Sequence, residues 1–584
     1  MIGSILSIEE NVVTVKLINN GDTQVIPLNF HVIFEDQVSK IVGKISSATQ
    51  TEVIVDIVGE IANGQFSSGT LARPSFSSVV RLITIDELAL MYGSQVLTHG
   101  YSNFGTSNVY KNYKINVNIN DFFSNHFSIL GNSGSGKSCT VASLFQKLFR
   151  QENAPVNSHI LFIDTFGEYT SAFQGVTNST GTVNYQCLTT NREDGTARLF
   201  AIPFWLLTVD DIALLLGATS KAQLSVISKA LDLVKILTSE SESVINRKND
   251  IIARALINIM VSGVAPIEMH DQVTAVLTKF NTPLLNLDTE IFQPGYTLTI
   301  KQCLNIDQNG KIQALELLMN FLNEYMVTEE DVEIEANDCY TISDLESAIE
   351  LALVSSGVLN SKKAFDELNQ LSVNIHTLVN SDKALYFSYP VKVTKEEYVQ
   401  SLFLTLSGAP CQLVSLNMNG VDDRFACVMI KTLCNMFFSI QGNSSSRGQS
   451  AYHLIIEEAH RYIRNDDQDD AVIGYNIFDR IAKEGRKYGL FLGLITQRPS
   501  ELSDTCISQC SNFIVMRVLH PKDLTYIKDM IPAMTSDVMA QLKNLKPGNC
   551  ICFGNAFKVP ISLYVDMPNP MPSSQNVDLS SVWY

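Results

Sequence analysis

Eight consecutive residues, Gly131-Asn132-Ser133-Gly134-Ser135-Gly136-Lys137-Ser138, fit the pattern G-x-x-x-x-G-K followed by Ser or Thr, a spacing suited to phosphate. The glycines let backbone N–H groups close around oxygen atoms. Lys137 supplies a point charge to the β and γ phosphates, and the Ser138 hydroxyl is a magnesium ligand. Asn132, Ser133, Gly134, Ser135, Gly136, Lys137, Ser138 and Cys139 are thus the expected nucleotide-binding residues, with ATP and Mg2+ as cofactors. The context agrees. Phe127-Ser128-Ile129-Leu130 reads as a strand, while Val141, Leu144, Phe145 and Leu148 recur at i, i+3, i+4 and i+7, so a helix beginning near Lys137 aims its amide end at the phosphates.

Such a loop needs one carboxylate to organise magnesium and another to orient water. Leu454-Ile455-Ile456-Glu457-Glu458-Ala459-His460 offers two at a strand end. Glu457 is the metal-side candidate, and Glu458, directed at the γ-phosphate, is the candidate base; the competing reading is a solvated acidic helix start. Further on, the apolar strand Leu490 to Ile495 ends in Thr496-Gln497-Arg498-Pro499-Ser500. Gln497 is placed to contact both the attacking water and the γ-phosphate, or is simply a turn residue before Pro499. Arg486 and Lys487 precede that strand, at the sheet edge opposite the nucleotide, and so reach a phosphate only across a subunit boundary. That geometry predicts a ring. Arg480 and Arg517 are rivals for the role, and a surface basic cluster is the alternative.

These residues must be positioned by more than one domain, because 584 residues exceed what a single core organises. Residues 1–95 alternate with period two (Val13, Val15, Leu17; Val53, Val55, Ile57), which predicts a small antiparallel barrel serving docking or oligomerisation. A connector rich in Asn, Tyr and Gly (Tyr101 to Asn120) leads into strand-then-helix patterning. The expected fold is α/β, a RecA-like P-loop core in two parts (96–203 and 385–566) interrupted by a helical insertion (204–384). Within the insertion Leu224, Ile227, Leu231 and Val234 keep helical spacing, and Thr208 is a cap. The proline-rich segment from Met567 cannot continue a helix, so 567–584 is expected to be an extended tail, a candidate to lie on a neighbouring subunit.

Composition limits the function further. No uninterrupted apolar stretch reaches the roughly 18 residues of a membrane helix, so a cytoplasmic protein without a membrane partner is expected. The eleven cysteines form no C-x-x-C pair of the zinc-binding kind. A formal charge of −18 argues against a broadly basic nucleic-acid surface, so any DNA contact must be local, such as a ring's lining.

Together the blocks resemble the HerA branch of the HerA–FtsK family of ring-forming DNA translocases. The shared order is a barrel, the P-loop, Ile163-Asp164-Thr165-Phe166-Gly167-Glu168-Tyr169 (similar to the family's D-x-x-G-E-Y), Glu457-Glu458-Ala459-His460, Glu484-Gly485-Arg486-Lys487-Tyr488-Gly489 and Thr496-Gln497-Arg498-Pro499-Ser500. Glu457 stands where Asp is commoner, and Thr165-Phe166 replaces a Pro-containing pair. The resemblance implies a homo-hexamer that threads duplex DNA through its central pore while ATP turns over between subunits. It also implies an effector protein at the barrel face, either a nuclease or a sirtuin-like NAD-consuming enzyme of antiphage defence. Arg461, Arg464, Lys362 and Lys363 are possible DNA grips, or solvated charges. A second class of function is an ATP-dependent scaffold that assembles and switches the effector, with DNA movement secondary.

Overall fold

The computed structural model describes residues 2–18, 27–36, 39–176, 181, 183–195, 197–239, 242–308, 310–326, 339–355, 362–443, 448–465, 474–530, 536–573 and 579–583. They form two compact units, one of Met1–Leu199, Tyr398–Asp466 and Asn476–Tyr584, the other of Phe200–Glu397 with Asp467–Tyr475.

The first unit opens with β1 (Gly3–Glu9), β2 (Val12–Leu17), β3 (His31–Glu35), β4 (Lys40–Ala48), β5 (Glu52–Ala62), β6 (Gln65–Ser68) and β7 (Val79–Leu82). Their order is β2-β1-β7-β3-β4-β5-β6, and β2 also pairs with β5, which closes six of them into a barrel. The closing register sets Val13 against Val55 and Val15 against Val53. All four are fully buried with Phe34, Ile41 and Ile45, so the period-two alternation is the barrel's interior. A helix, Ile85–Tyr92, follows. Its Thr84–Glu87 capping box also receives Arg81 and Lys40 from the barrel wall, at 2.7 and 3.0 Å.

The main sheet contains β8 (Tyr101–Ser107), β9 (Lys114–Asn118), β10 (Phe127–Leu130), β11 (His159–Asp164), β12 (Tyr185–Thr189) and β13 (Arg198–Leu199). After β14 (Glu290–Gln293) and β15 (Tyr296–Thr299), which belong to the second unit, it resumes with β16 (Leu413–Asn417), β17 (Tyr452–Ile456), β18 (Leu490–Thr496), β19 (Asn512–Val515), β20 (Asn549–Gly554) and β21 (Phe557–Tyr564). The order is β13-β12-β16-β11-β17-β18-β10-β19-β20-β21-β8-β9. Strands from β13 to β19 run parallel, and the last four are added antiparallel. The sheet is therefore mixed. Every residue of β10 and β18 is buried, as central strands covered on both faces require.

Two expectations need correcting. The polar connector over Tyr101 to Asn120 is largely the edge hairpin β8–β9; a register shift between Asn103 and Gly105 breaks its alternation, and Gly105 lets β21 approach, since a Cβ there would lie 2.2 Å from the Tyr564 carbonyl oxygen. The described start of the tail is not free but hydrogen-bonded to its own chain. Gln146 Nε2 donates to the Pro570 carbonyl at 2.8 Å, Ser171 Oγ to that of Met571 at 2.9 Å, and the Ser573 amide to that of Glu168 at 2.7 Å. It turns helical at Leu579–Trp583.

The helix Asp423–Asn443 is long and apolar enough to cross a membrane by length and composition, yet most of it is buried inside the first unit.

The second unit is mainly helical. Thr208 caps a short helix, Val209–Leu216, through a box with Asp211, and a separate helix, Lys221–Leu237, has its own box from Ser220 and Gln223. Ile227, Leu231 and Val234 face its core. The hairpin β14–β15 breaks the helical pattern because Thr297 and Thr299 carry β-branched propensity into a short turn-bounded run.

Candidate functional site

The parallel register brings chemistry to one edge. Leu130 pairs with Thr496, Ile456 with Leu494, and Ile163 with Ile456, so Gly131, Glu457, Gln497 and Asp164 all emerge at the carboxyl ends of neighbouring strands. β18 lies between the P-loop strand β10 and the acidic strand β17, so Gln497 sits between phosphate loop and carboxylates.

The loop is held by backbone bonds from both sides. Gly131 N donates to Thr496 O at 3.2 Å, Asn132 N to Arg517 O at 2.9 Å, and Gly548 N to Ser135 O at 3.0 Å. Gly136 has φ 98° and caps the helix Lys137–Phe149, with Gly548 so close that a Cβ would meet its nitrogen at 3.1 Å. Free amides at that helix start face the space a phosphate would fill.

Lys137 is buried enough to lower its pKa, while Glu458, Glu457 and Glu168 hold its charge in place. Glu457 is 4 % exposed, and burial, then Asp164, Glu168 and Glu458, raises its carboxyl well above the ordinary range. Its Oε1 accepts the Tyr169 hydroxyl at 3.1 Å, whereas Oε2 is buried without a partner. Glu458 is 7 % exposed and takes the left-handed conformation, φ 47° and ψ 46°, rare for a long side chain. Burial raises its pKa, opposed by Lys137 and by the Gln497 amide. His460 Nδ1 bonds Thr496 Oγ1 at 3.0 Å and lies 3.4 Å from Glu458 Oε2, which makes no hydrogen bond. Burial lowers the His460 pKa to about 4, so the ring is neutral. Gln497 accepts a hydrogen bond from Ser133 Oγ, joining the loop to β18. A groove of about 440 Å³ opens beside them, lined by Asn132, Ser133, Gln497, Arg498, His520 and Asp523 among others.

Among the described residues no cluster of three or more His, Cys, Asp or Glu side chains forms a metal cage. A magnesium ion does not need one, since it keeps several waters and takes one or two protein ligands plus substrate phosphates. The Ser138 hydroxyl and the orphaned Glu457 Oε2 fit that donor set.

The family model described as "Helicase HerA, central domain" matches residues 103–437, more than half of the chain. The chain belongs to the HerA helicase family. It is an ATPase of the helicase class. This HerA-family chain is similar to a probable helicase of Methanocaldococcus jannaschii, 23% identical over 472 residues that span 80% of this chain and 71% of that protein. It is also similar to the DNA double-strand break repair helicase HerA of Pyrococcus furiosus, 22% identical over 488 residues, 81% and 70% of the two chains. Among solved structures, the bacterial conjugative coupling protein TrwBΔN70 aligns with TM-score 0.45 at 11% identity, covering 84% of this chain and 95% of that one. VirB4 of Thermoanaerobacter pseudethanolicus aligns with TM-score 0.41 at 13% identity, covering 82% and 100%.

The HerA-family site thus gathers Asn132 to Ser138, Glu457, Glu458 and Gln497 in one place, with the Cys139 thiol kept protonated beside it by burial and Glu168. Arg486 and Lys487 are not brought there. They end the helix Ile477–Tyr488, exposed, a strand's length or about 20 Å from Gln497. Arg480 stacks on Phe438, 4.7 Å from its centroid, and Arg517 is half-buried beside the loop with Nε unpartnered. Of the suggested DNA grips, Arg461 pairs with Asp423, Arg464 is exposed, and the Lys362 and Lys363 side chains lie outside the described residues. Glu168, Tyr169, Thr496 and His460 were not assigned roles from sequence. The first two stand in the Asp164–Tyr169 block, the signal that could have marked them.

Proposed function

We propose that the chain is a magnesium-dependent, ATP-hydrolysing DNA translocase, working as a homo-hexameric ring around duplex DNA and coupled to an effector protein, a nuclease or sirtuin-like enzyme, at its barrel face. The observation that carries it is the strand order, which lines the P-loop, Gln497 and the Glu457–Glu458 pair along one sheet edge in a HerA-family chain. The backbone amides of residues 132–138 and Lys137 hold the polyphosphate, and Glu458 takes the proton of the attacking water. Gln497, already tied to Ser133, orients that water. Ser138 and Glu457 hold Mg2+, which when bound neutralises phosphate charge. Arg486 or Lys487, too far from their own site to act there, serves a neighbour's site in trans.

The scaffold reading draws on the formal charge of −18, which leaves little basic surface for DNA. Steady-state ATPase with and without duplex DNA, at low and moderate salt, separates the two, with Lys137→Ala as control. Salt-sensitive stimulation supports the translocase. An active ring indifferent to DNA supports the scaffold, and turnover retained in Lys137→Ala refutes the site itself.

A further inference from the structure

One motif block is left unused by this chemistry: Asp164 to Tyr169. Asp164 is fully buried at the end of β11, and its carboxylate accepts the Glu168 amide at 3.0 Å and the Tyr169 amide at 2.9 Å. Those bonds fold the loop back on its strand. Gly167 completes the turn at φ 73°, where a Cβ would lie 2.8 Å from the Asn417 side chain. The Tyr169 ring is fully buried, its centroid 4.5 Å from that of Phe162 and 5.5 Å from that of Phe173. Its position is therefore set by β11 and its loop, independently of any nucleotide.

The phenol's tip is what matters. It donates to Glu457 Oε1 at 3.1 Å and meets the Ser138 side chain, touching both protein groups that fit a magnesium ion. With Oε1 committed to the phenol, only Oε2 remains free, and it is buried without a partner. A second bond fixes the same residue from behind, Thr165 Oγ1 donating to the Glu457 carbonyl at 2.9 Å. A proline at that position has no hydroxyl to do this. Glutamate has one more rotatable bond than aspartate, so a carboxylate on the longer arm needs these restraints to hold a single direction.

We propose that Tyr169 is a positioning residue that presets Ser138 and Glu457 for magnesium, with Thr165 as its accessory. The proposal rests on the ATPase reading of the site.

The test is Tyr169→Phe in the full chain, which keeps the packed ring and deletes only the hydroxyl. Three quantities are read: affinity for a fluorescent ATP analogue in EDTA, the Mg2+ concentration that half-saturates its binding, and the melting temperature. Outer-shell partners of metal ligands are worth about 10- to 100-fold in metal affinity. The expected result is a half-saturating Mg2+ concentration raised by about that factor, with EDTA affinity unchanged, melting lowered only by the loss of one buried hydrogen bond, and turnover largely recovered at high Mg2+. Thr165→Val should shift Mg2+ in the same direction by less, and it decides the matter if the Phe variant melts early. A wild-type Mg2+ response in both variants overturns the proposal while leaving the ATPase reading intact. A wild-type chain that binds no nucleotide with Mg2+ overturns both.

Discussion

Glu458 offers a way to separate chemistry from folding. Its left-handed backbone, φ 47°, costs an L-residue about 1–2 kcal/mol. Its carboxyl is also buried with a raised pKa, and such a group opposes folding at any pH above that pKa. Glu458→Gly removes both penalties. Glycine's greater freedom in the unfolded chain gives back about 0.5–1 kcal/mol, leaving a net stabilisation of about 1 kcal/mol before the lost charge is counted. Glu458→Gln keeps the strain and deletes the charge, so it should be at least as stable as wild type. Both should lose ATPase by about 10²- to 10⁴-fold, the contribution of a positioned base. The assay is native-state hydrogen exchange on the β17 peptides across a urea series, which reports locally whatever the second unit does, alongside steady-state turnover. Faster exchange in Glu458→Gly refutes the strain argument. Turnover within about threefold of wild type in either variant refutes the role of base.

Gln497→Ala breaks the bridge to Ser133; turnover should fall by about 10²-fold, as when one aligned polar group is removed from a transition state, with nucleotide affinity in a binding titration nearly unchanged. The pH profile of kcat should have its acid limb above the ordinary carboxylate range, because burial raises the Glu458 pKa and the base must be ionised to act; a limb at the usual carboxylate position counts against it. Deleting 567–584 strips the buried Gln146 of bonds to Pro570 and Asn569, both 2.8 Å, which should cost about 1–3 kcal/mol and lower the melting temperature. An unchanged melt would show that the tail is not part of the fold.

What the sequence revealed follows from how locally each feature is encoded. The P-loop was legible because its backbone tolerates few residues at Gly134 and Gly136, both at positive φ, and the barrel because Val13, Val15, Val53 and Val55 alternate without interruption. β8 and β9 read as a connector because polar residues and Gly105 outnumber the apolar ones and a register shift at Asn103–Gly105 hides the period. The left-handed turn at Glu458 is invisible in the sequence, since glutamate has no preference for it and tertiary contacts impose it. Tyr169 stood in a motif already singled out, yet its partner Glu457 is 288 positions away, and only the β11–β17 pairing brings them together.

The same contacts explain how so strained a segment persists. Thr165 and Tyr169 follow β11, Glu457, Glu458 and His460 follow β17, Thr496 and Gln497 come from the end of β18, and direct bonds join Thr165 and Tyr169 to Glu457, His460 to Thr496 and the Gln497 amide to Glu458. A rare backbone conformation survives only where its surroundings over-determine it, so the direction of Glu458 depends on the alignment of three adjacent strands. A slip between β17 and β18 would move the carboxylate relative to Lys137 without altering the P-loop. Turnover should therefore respond more steeply than nucleotide binding to any force on that part of the sheet, which is the coupling an ATP-driven machine requires.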